Sequence, residues 1–147
     1  MIHMYNHGGS DNHGCEAIVR ATAHMLGTSP VLFSQKPDQE KKYETDNVCD
    51  VRSDTNAQTK PKSLAWFIST LQTKFTGKID LLIRFRKKEM LSRIAKDDVC
   101  LSIGGDNYCY AGTDILAAIN TNLRKKGAKT VLWGCSEIGR ASCRERV

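Results

Sequence analysis

The apolar run Val99–Ile103, which stops abruptly at Gly104-Gly105, is the feature that most constrains what this chain can fold into. A short run that is apolar at nearly every position is typical of a strand buried on both faces, as in parallel sheets covered by helices. The two glycines allow a sharp turn and a close approach of the backbone to a ligand. Asp106 and Asn107 follow at the carboxyl end of the strand, where open parallel sheets bind ligands. The sequence therefore predicts a ligand-binding turn here.

A second junction of this kind lies near the start, where Met1–Tyr5 gives way to the polar segment Asn6–Glu16. Asn12, His13, Gly14 and Glu16 fall at the predicted start of a helix, where free N–H groups and the helix dipole favour an anion or a polar oxygen. Asn12 also suits the N-cap of that helix, with Glu16 complementing its dipole, and the two roles can coexist. The segment contains neither a dinucleotide fingerprint nor a P-loop, so neither type of nucleotide site is predicted.

Cys15, at the same helix start, has two weaker interpretations. A cysteine at a helix N-terminus can have a lowered pKa and act as a nucleophile, with His7 or His13 as its base. The same three side chains could instead bind zinc, but the sequence offers no evident fourth ligand. Packing as a small apolar side chain is the simpler interpretation.

Strand-like and helix-like segments alternate along the chain, which favours crossover units and a parallel sheet. We therefore predict a Rossmann-like α/β domain with three layers and a mainly parallel sheet of at least four strands. A polar loop that could contain one helical turn is expected at Gln35–Lys42, and an exposed polar loop is expected at Asp54–Lys62. The predicted strands are Ile2–Tyr5, Val31–Phe33, Val48–Val51, Val99–Ile103 and Thr130–Trp133, and the predicted helices are Cys15–Leu26, Leu64–Phe75, Ile79–Ile94 and Thr113–Lys126.

The charge and length of the chain bound its function. At 147 residues it suits one domain, and no apolar stretch approaches the roughly 18 residues of a membrane span. The net charge of +6 comes from scattered groups, Lys36–Lys42, Arg84–Lys88 and Arg124–Lys129. These groups indicate solvated surfaces, or attraction to an anionic substrate or membrane surface. Nucleic-acid binding is not expected, because aromatic residues are not interleaved with the charges.

Two further features set the expected context and extent of the domain. The six cysteines form no C-x-x-C pair, which favours a reduced, cytoplasmic protein. The terminal stretch Glu137–Val147 reads like one translated frame of a common short-read sequencing adapter. We therefore expect a native domain over residues 1–136, cut short there, followed by a non-native tail over 137–147.

The polar residues after the predicted strands suit a sugar. Asp106 and Asn107 place a carboxylate beside an amide, both able to hydrogen-bond sugar hydroxyls, and Tyr108 could stack on a sugar ring. Asp106 could equally cap its loop or the next helix. Ser136 follows the strand that ends at Trp133, so it should lie along the same edge of the sheet.

The chain resembles the polysaccharide pyruvyl transferase family. The resemblance rests on three segments, Asn12–Arg20, Ser102–Tyr108 and Val131–Ser136, and is extended by Lys36–Tyr43 after the second strand. The order and spacing of these segments span most of residues 1–136.

The resemblance implies transfer of a pyruvyl group from phosphoenolpyruvate to two hydroxyls of a cell-surface polysaccharide sugar, giving a cyclic ketal. No cofactor is expected, because phosphoenolpyruvate is itself the donor substrate. It also implies a two-domain, glycosyltransferase-like architecture, of which this chain is the N-terminal half. The family's donor-binding arginines and catalytic histidine lie largely in the missing C-terminal domain, so no catalytic residue is assigned here, and this chain alone is expected to be inactive.

The binding assignments and partners follow from that implication. The expected acceptor is a sugar, free or carried on a lipid-linked glycan, handled in the cytoplasm or at the inner face of the membrane. Two alternatives stay open: half of a nucleotide-sugar glycosyltransferase, or a non-catalytic sugar-binding domain. The predicted substrate-binding residues are Asn12, His13, Gly14, Glu16, Gly104, Gly105, Asp106, Asn107 and Ser136.

Overall fold

A computed structural model describes residues 1–54, 63–104, 107–108 and 112–134. Five strands form one all-parallel sheet, flanked by helices in a Rossmann-like three-layer arrangement. The elements are β1 (Ile2–His7), α1 (His13–Leu26), β2 (Val31–Ser34), α2 (Pro37–Lys42), a 3₁₀ turn (Thr45–Asn47), β3 (Asp50–Ser53), α3 (Leu64–Thr76), α4 (Asp80–Arg86), α5 (Lys88–Ser92), β4 (Val99–Ile103), α6 (Thr113–Lys125) and β5 (Lys129–Trp133).

The strand order across the sheet is β3-β2-β1-β4-β5. The chain builds outward from β1 to β2 and β3, then crosses back to place β4 on the other side of β1. This reversal makes the gap between β1 and β4 the topological switch point of the sheet, where open α/β sheets leave a crevice at the carboxyl ends of the strands.

The sheet buries both of its faces. Met4, Leu32 and Leu101 pack against α1 on one face, while Tyr5, Phe33 and Cys100 pack against α4, α5 and α6 on the other. Successive residues of β1, β2 and β4 therefore alternate between two cores, and this explains why these strands read as continuous apolar runs. The prediction that Val99–Ile103 is buried on both faces is confirmed.

Helix boundaries follow local signals in the sequence. Asn12 caps α1 through its side-chain oxygen, which accepts from the backbone N–H groups of Gly14 and Cys15. Gly27 and Gly77 end α1 and α3 in the left-handed conformation that glycine adopts most readily. In the described part of the chain, no helix is long and apolar enough to cross a membrane.

Four sequence predictions need correction. The third strand lies at Asp50–Ser53 rather than Val48–Val51. The segment Gln35–Lys42, predicted as a loop with room for one helical turn, contains the six-residue helix α2. The predicted helix Ile79–Ile94 is two helices, because Lys87 leaves the helical conformation and turns its ammonium inward. Its Nζ donates to the buried Asp54 at 2.5 Å, so Asp54 was wrongly predicted to lie in an exposed loop.

The helix α3 is also oriented against expectation. Its sequence is amphipathic, which ordinarily turns the apolar face toward the core. Here the buried or half-buried positions are the small or polar residues Ala65, Ser69 and Gln72. The apolar residues of the helix are exposed instead: Leu64, Trp66, Phe67, Ile68, Leu71 and Phe75.

Candidate functional site

The two junctions singled out in the sequence lie on either side of the switch point. β1 and β4 are hydrogen-bonded neighbours, paired from Ile2 with Val99 to Tyr5 with Ser102. The segment after β1 and the segment after β4 therefore leave the sheet side by side. We call the space between them the switch-point cleft, bounded by Gly8–Asn12 on one side and by Gly104, Asn107 and Tyr108 on the other.

Asn107 ties the two sides of this cleft together. Its amide Nδ2 donates to the backbone carbonyls of Asn6 at 2.9 Å and Ile103 at 3.0 Å. Gly104 has a φ of 124° and lies directly against the Asn107 amide, so a side chain at this position would collide with it. A close approach therefore explains the glycine at the end of β4. The group that approaches it is the Asn107 side chain, whereas the sequence predicted a ligand.

The end of β1 is irregular on the same side. Asn6 has a φ of 66°, a conformation that asparagine tolerates better than most residues, and the pairing of β1 with β2 shifts register between Met4 and His7. Such bulges occur preferentially next to functional sites, where they redirect a side chain. Here the Asn6 amide turns toward β4 and donates to Ser102 Oγ at 2.8 Å.

A chain of polar side chains continues from Asn6 beneath the cleft. Ser102 Oγ lies 2.8 Å from the hydroxyl of Tyr108, which accepts from Asn120 Nδ2 at 3.1 Å. Tyr5 in turn donates its hydroxyl proton to Asn120 Oδ1 at 2.7 Å. These contacts hold Tyr108 by its hydroxyl group, so Tyr108 helps to position the loop after β4.

A second polar cluster, buried between the ends of β1 and β2, centres on Glu40. The carboxylate of Glu40 receives hydrogen bonds from His7 at 3.0 Å, Ser34 at 2.8 Å and Ser10 at 2.5 Å, and Thr45 lies 3.1 Å from Ser10. All five side chains are essentially inaccessible to solvent. Burial alone would raise the pKa of Glu40, but the bonds from His7, Ser10 and Ser34 outweigh it and lower that pKa to about 2.

The Glu40 cluster holds the loop after β1 in place. Ser10 belongs to that loop, Glu40 lies on α2, and Gly9, with a φ of 120°, packs directly beneath the side chain of Gln39. Gln39 also donates to Asp11. The base of the first loop is thus fixed by α2, whereas Asn12, His13 and Gly14 are exposed at its end.

His13 and Glu16 form a surface network with neighbouring side chains. Arg20 Nε donates to Glu16 at 2.8 Å, and His13 Nδ1 lies 3.2 Å from the same carboxylate. Arg20, and then His13, lower the pKa of Glu16 below its ordinary value. Arg20 also donates to the carbonyl of Tyr43. The rings of Tyr43 and His13 meet edge to face, with their centroids 5.6 Å apart. Glu16 is therefore paired with Arg20 and His13, and its role in ligand binding stays a prediction.

The end of β5, which precedes the predicted site residue Ser136, lies beside α1. Gly134 packs near Ile18 of α1, and Trp133 donates to Thr22 of the same helix at 2.8 Å. Gly105, Asp106, Cys135 and Ser136 lie outside the described residues, as does the tail Glu137–Val147.

The weaker interpretations of Cys15 gain nothing from this geometry. His7 is buried against Glu40, whereas His13 lies on the surface against Glu16. The two histidines are therefore engaged in separate clusters, one buried and one on the surface. Sequence reasoning missed the roles of Asn6, Ser102 and Glu40, because nothing local predicts contacts between residues so far apart in the chain.

Comparison with family models, curated proteins and solved structures returns no match to this chain.

Proposed function

We propose that this chain forms one wall of the active-site cleft of a polysaccharide pyruvyl transferase. The observation that carries the proposal is the position of the two loops at the switch point of the sheet. The segments from which the resemblance was inferred, Asn12–Arg20 and Ser102–Tyr108, flank that point, and Asn107 bonds across it to the carbonyl of Asn6. Ligands of open α/β sheets bind at this place.

The proposed reaction joins two sugar hydroxyl oxygens to the central carbon of phosphoenolpyruvate. A proton is added to its methylene carbon, one hydroxyl oxygen attacks the central carbon, phosphate leaves, and the second hydroxyl closes the ring. Both hydroxyl protons are released, so the products are a cyclic ketal and phosphate. Such a reaction needs a general acid, and cationic groups that hold the phosphate and the carboxylate.

The described residues of the cleft suit the acceptor better than the donor. The side chains of Asn12 and His13 are exposed, and the Asn12 amide nitrogen can hydrogen-bond sugar hydroxyls without a full charge, whereas the Gly14 N–H already donates to Asn12 Oδ1. Arg20 is the nearby arginine on α1, and it is already bonded to Glu16 and Tyr43. We therefore propose that the acid and the donor-binding cations come from a second domain, and that this chain binds the acceptor without turning it over.

The second candidate is one half of a nucleotide-sugar glycosyltransferase. The strand order β3-β2-β1-β4-β5 favours it, because Rossmann-type sheets that bind nucleotides have this order. A dinucleotide enzyme is disfavoured. In such enzymes an acidic residue about 20 residues after the glycine loop binds the ribose. Here β2 ends at the buried Ser34, which is bonded to Glu40.

Binding measurements on the 147-residue chain distinguish these candidates. Saturation-transfer NMR and calorimetry would be run with methyl β-galactoside, methyl β-glucoside, methyl β-mannoside, phosphoenolpyruvate and uridine diphosphate glucose. We expect one of the methyl pyranosides to bind in the millimolar range. Asn107→Ala should weaken that binding about tenfold, because it frees the loop after β4 from the ends of β1 and β4, while Asn47→Ala on the exposed 3₁₀ turn should not.

Three results would contradict the proposal or one of its parts. Binding of uridine diphosphate glucose in preference to every methyl pyranoside would favour the glycosyltransferase alternative. Pyranoside binding that Asn107→Ala leaves unchanged would remove the switch-point cleft from consideration as the acceptor site. Release of phosphate from phosphoenolpyruvate by this chain in the presence of a glycan acceptor would contradict the assignment of the acid and cations to another domain.

A further inference from the structure

The helix α3 exposes a continuous apolar stripe. Leu64, Phe67, Ile68, Leu71 and Phe75 recur at the spacing i, i+3, i+4, i+7 and i+11, so they lie along one face of the helix. All five are exposed, with Leu64 at 74%, Phe67 at 59% and Phe75 at 77%. We call this set the α3 stripe. It adds up to several hundred square ångströms of contiguous apolar surface, and a patch of that size marks an interaction site.

The inward face of α3 shows that this orientation is not a packing accident. Small and polar side chains face the protein, and Ser69 is buried and donates to the carbonyl of Trp66 at 3.0 Å. Gln72 accepts from the backbone of Leu81 at 3.0 Å, which docks the polar side of α3 on α4. Turning the stripe inward would break the bond between Gln72 and Leu81 and would expose Ser69, so the helix presents its apolar residues outward.

The charges of the segment that contains the stripe select the partner. The segment Leu64–Lys88 contains six lysines and arginines and a single acidic residue, Asp80. Lys74, Lys78, Arg84, Arg86 and Lys88 are exposed, whereas Asp80 is already paired with Lys125 at 3.1 Å. An apolar helix face bordered by cations is the pattern of a helix that lies in the interface of an anionic membrane.

A cationic groove lies beside α4. It has a volume of about 520 Å³ and lies between α4, α5 and α6, with Leu81, Phe85 and Leu91 among its apolar lining. Its rim includes Arg84, Lys88, Lys125 and Lys126. Within the described part of the chain, neither Arg84 nor Lys88 has an acidic partner, so both can pair with a phosphate.

We infer that α3 and α4 form a docking surface for an anionic phospholipid bilayer. In this arrangement the α3 stripe enters the interface between headgroups and acyl chains, and the cations of α3 and α4 contact lipid phosphates. A second copy of the chain is a poorer occupant, because the cations beside the stripe would meet the same cations of the partner. The inference goes beyond the proposed reaction and does not depend on it.

Vesicle flotation tests this inference directly. The full chain would be mixed with vesicles of phosphatidylcholine alone or of phosphatidylcholine with 30% phosphatidylglycerol. We expect at least tenfold stronger binding to the anionic vesicles, falling as salt is raised. Phe67→Ser/Phe75→Ser should lower binding by tenfold or more, and Arg84→Gln/Lys88→Gln should lower it on the anionic vesicles only.

Matched controls come from the other side of the sheet. Met25→Ser removes a 70%-exposed apolar side chain from α1, and Lys36→Gln/Lys41→Gln removes two exposed charges from the region of α2. Neither control should change vesicle binding. Circular dichroism would establish that every variant folds. Hydrogen exchange of the wild-type chain adds a test without mutation, because vesicles should protect the segment 64–88 and leave α1 unchanged.

Three outcomes would overturn the inference. The first is equal binding to neutral and anionic vesicles, and the second is binding that the α3 stripe variant retains. The third is a chain that ignores vesicles but forms dimers, measured by sedimentation, that Phe67→Ser/Phe75→Ser dissociates. In that case a second copy, not a bilayer, covers α3.

Discussion

Glu40 offers a quantitative test of how the loop after β1 is held. Its buried carboxylate accepts from His7, Ser10 and Ser34, and its pKa is lowered from 4.5 to about 2. A folded-state pKa below the unfolded value means that ionised Glu40 stabilises the fold above pH 4.5, and that this stability is lost as the pH falls toward 2. The shift corresponds to about 3 kcal/mol of unfolding free energy at pH 7.

Glu40→Gln is the sharpest perturbation of this cluster. Glutamine keeps the shape of the side chain but offers one acceptor oxygen where three donors converge, and its amide nitrogen faces hydroxyl groups that were donating. We expect the variant to lose about 3 kcal/mol at pH 7. Near pH 3 the wild-type chain has itself lost most of the contribution of Glu40, so the difference between the two should shrink to about 1 kcal/mol.

Urea unfolding followed by circular dichroism at pH 7 and pH 3 measures both differences. Glu44→Gln, on an exposed glutamate at the end of α2, serves as the matched control and should change the free energy of unfolding by less than about 0.5 kcal/mol. A Glu40→Gln variant as stable as the wild type at pH 7 would refute the argument. A loss of equal size at both pH values would show that the cluster acts through packing rather than through the charge.

Three further predictions concern other parts of the fold. Lys87→Met should cost about 3–5 kcal/mol because it leaves Asp54 buried without its cation, and thermal unfolding should show most of this recovered in Asp54→Asn/Lys87→Met. Asn12→Ala should cost about 1 kcal/mol in the same assay through loss of the α1 cap. Burial raises the pKa of Cys49 to about 11 and that of Cys100 to about 12, so iodoacetamide at pH 8 should label both only after unfolding, as read by peptide mass spectrometry.

Much of the fold could be predicted from local patterns. The runs Val31–Phe33 and Val99–Ile103 are short and apolar at nearly every position. Such runs are typical of strands covered on both faces, and this pattern led to the prediction of a parallel sheet. The glycines at positions 27 and 77 marked helix ends because the left-handed conformation favours glycine. Asn12 was identified as a cap for an equally local reason.

The features that could not be predicted depend on distant contacts. Lys87 breaks a helical pattern only because Asp54, 33 residues earlier, lies buried at the end of β3. The orientation of α3 depends on where its polar side finds partners, and periodicity reveals the stripe but not the direction in which it points. The Glu40 cluster needs β1, β2 and α2 together, so no single segment indicates it.

The same local reasoning led to the two loops of the candidate site, but it did not predict the contacts within them. Strand ends rich in glycine and asparagine pointed to the loops after β1 and β4. The observed role of Asn107, bonded to the carbonyls of Asn6 and Ile103, follows only from the pairing of the two strands. Whether the exposed groups of Asn12–Gly14 bind an acceptor sugar stays a prediction.

Chemical-shift mapping of the isotopically labelled 147-residue chain tests whether the switch-point cleft binds the acceptor sugar. The methyl pyranoside that binds in the ligand panel would be titrated while backbone amide resonances are followed. We expect the largest shifts in Asn12–Glu16 and at Asn107, on the two sides of the switch-point cleft, with little change along α3 or β3. Shifts concentrated away from these loops, or none at saturating sugar, would contradict this expectation.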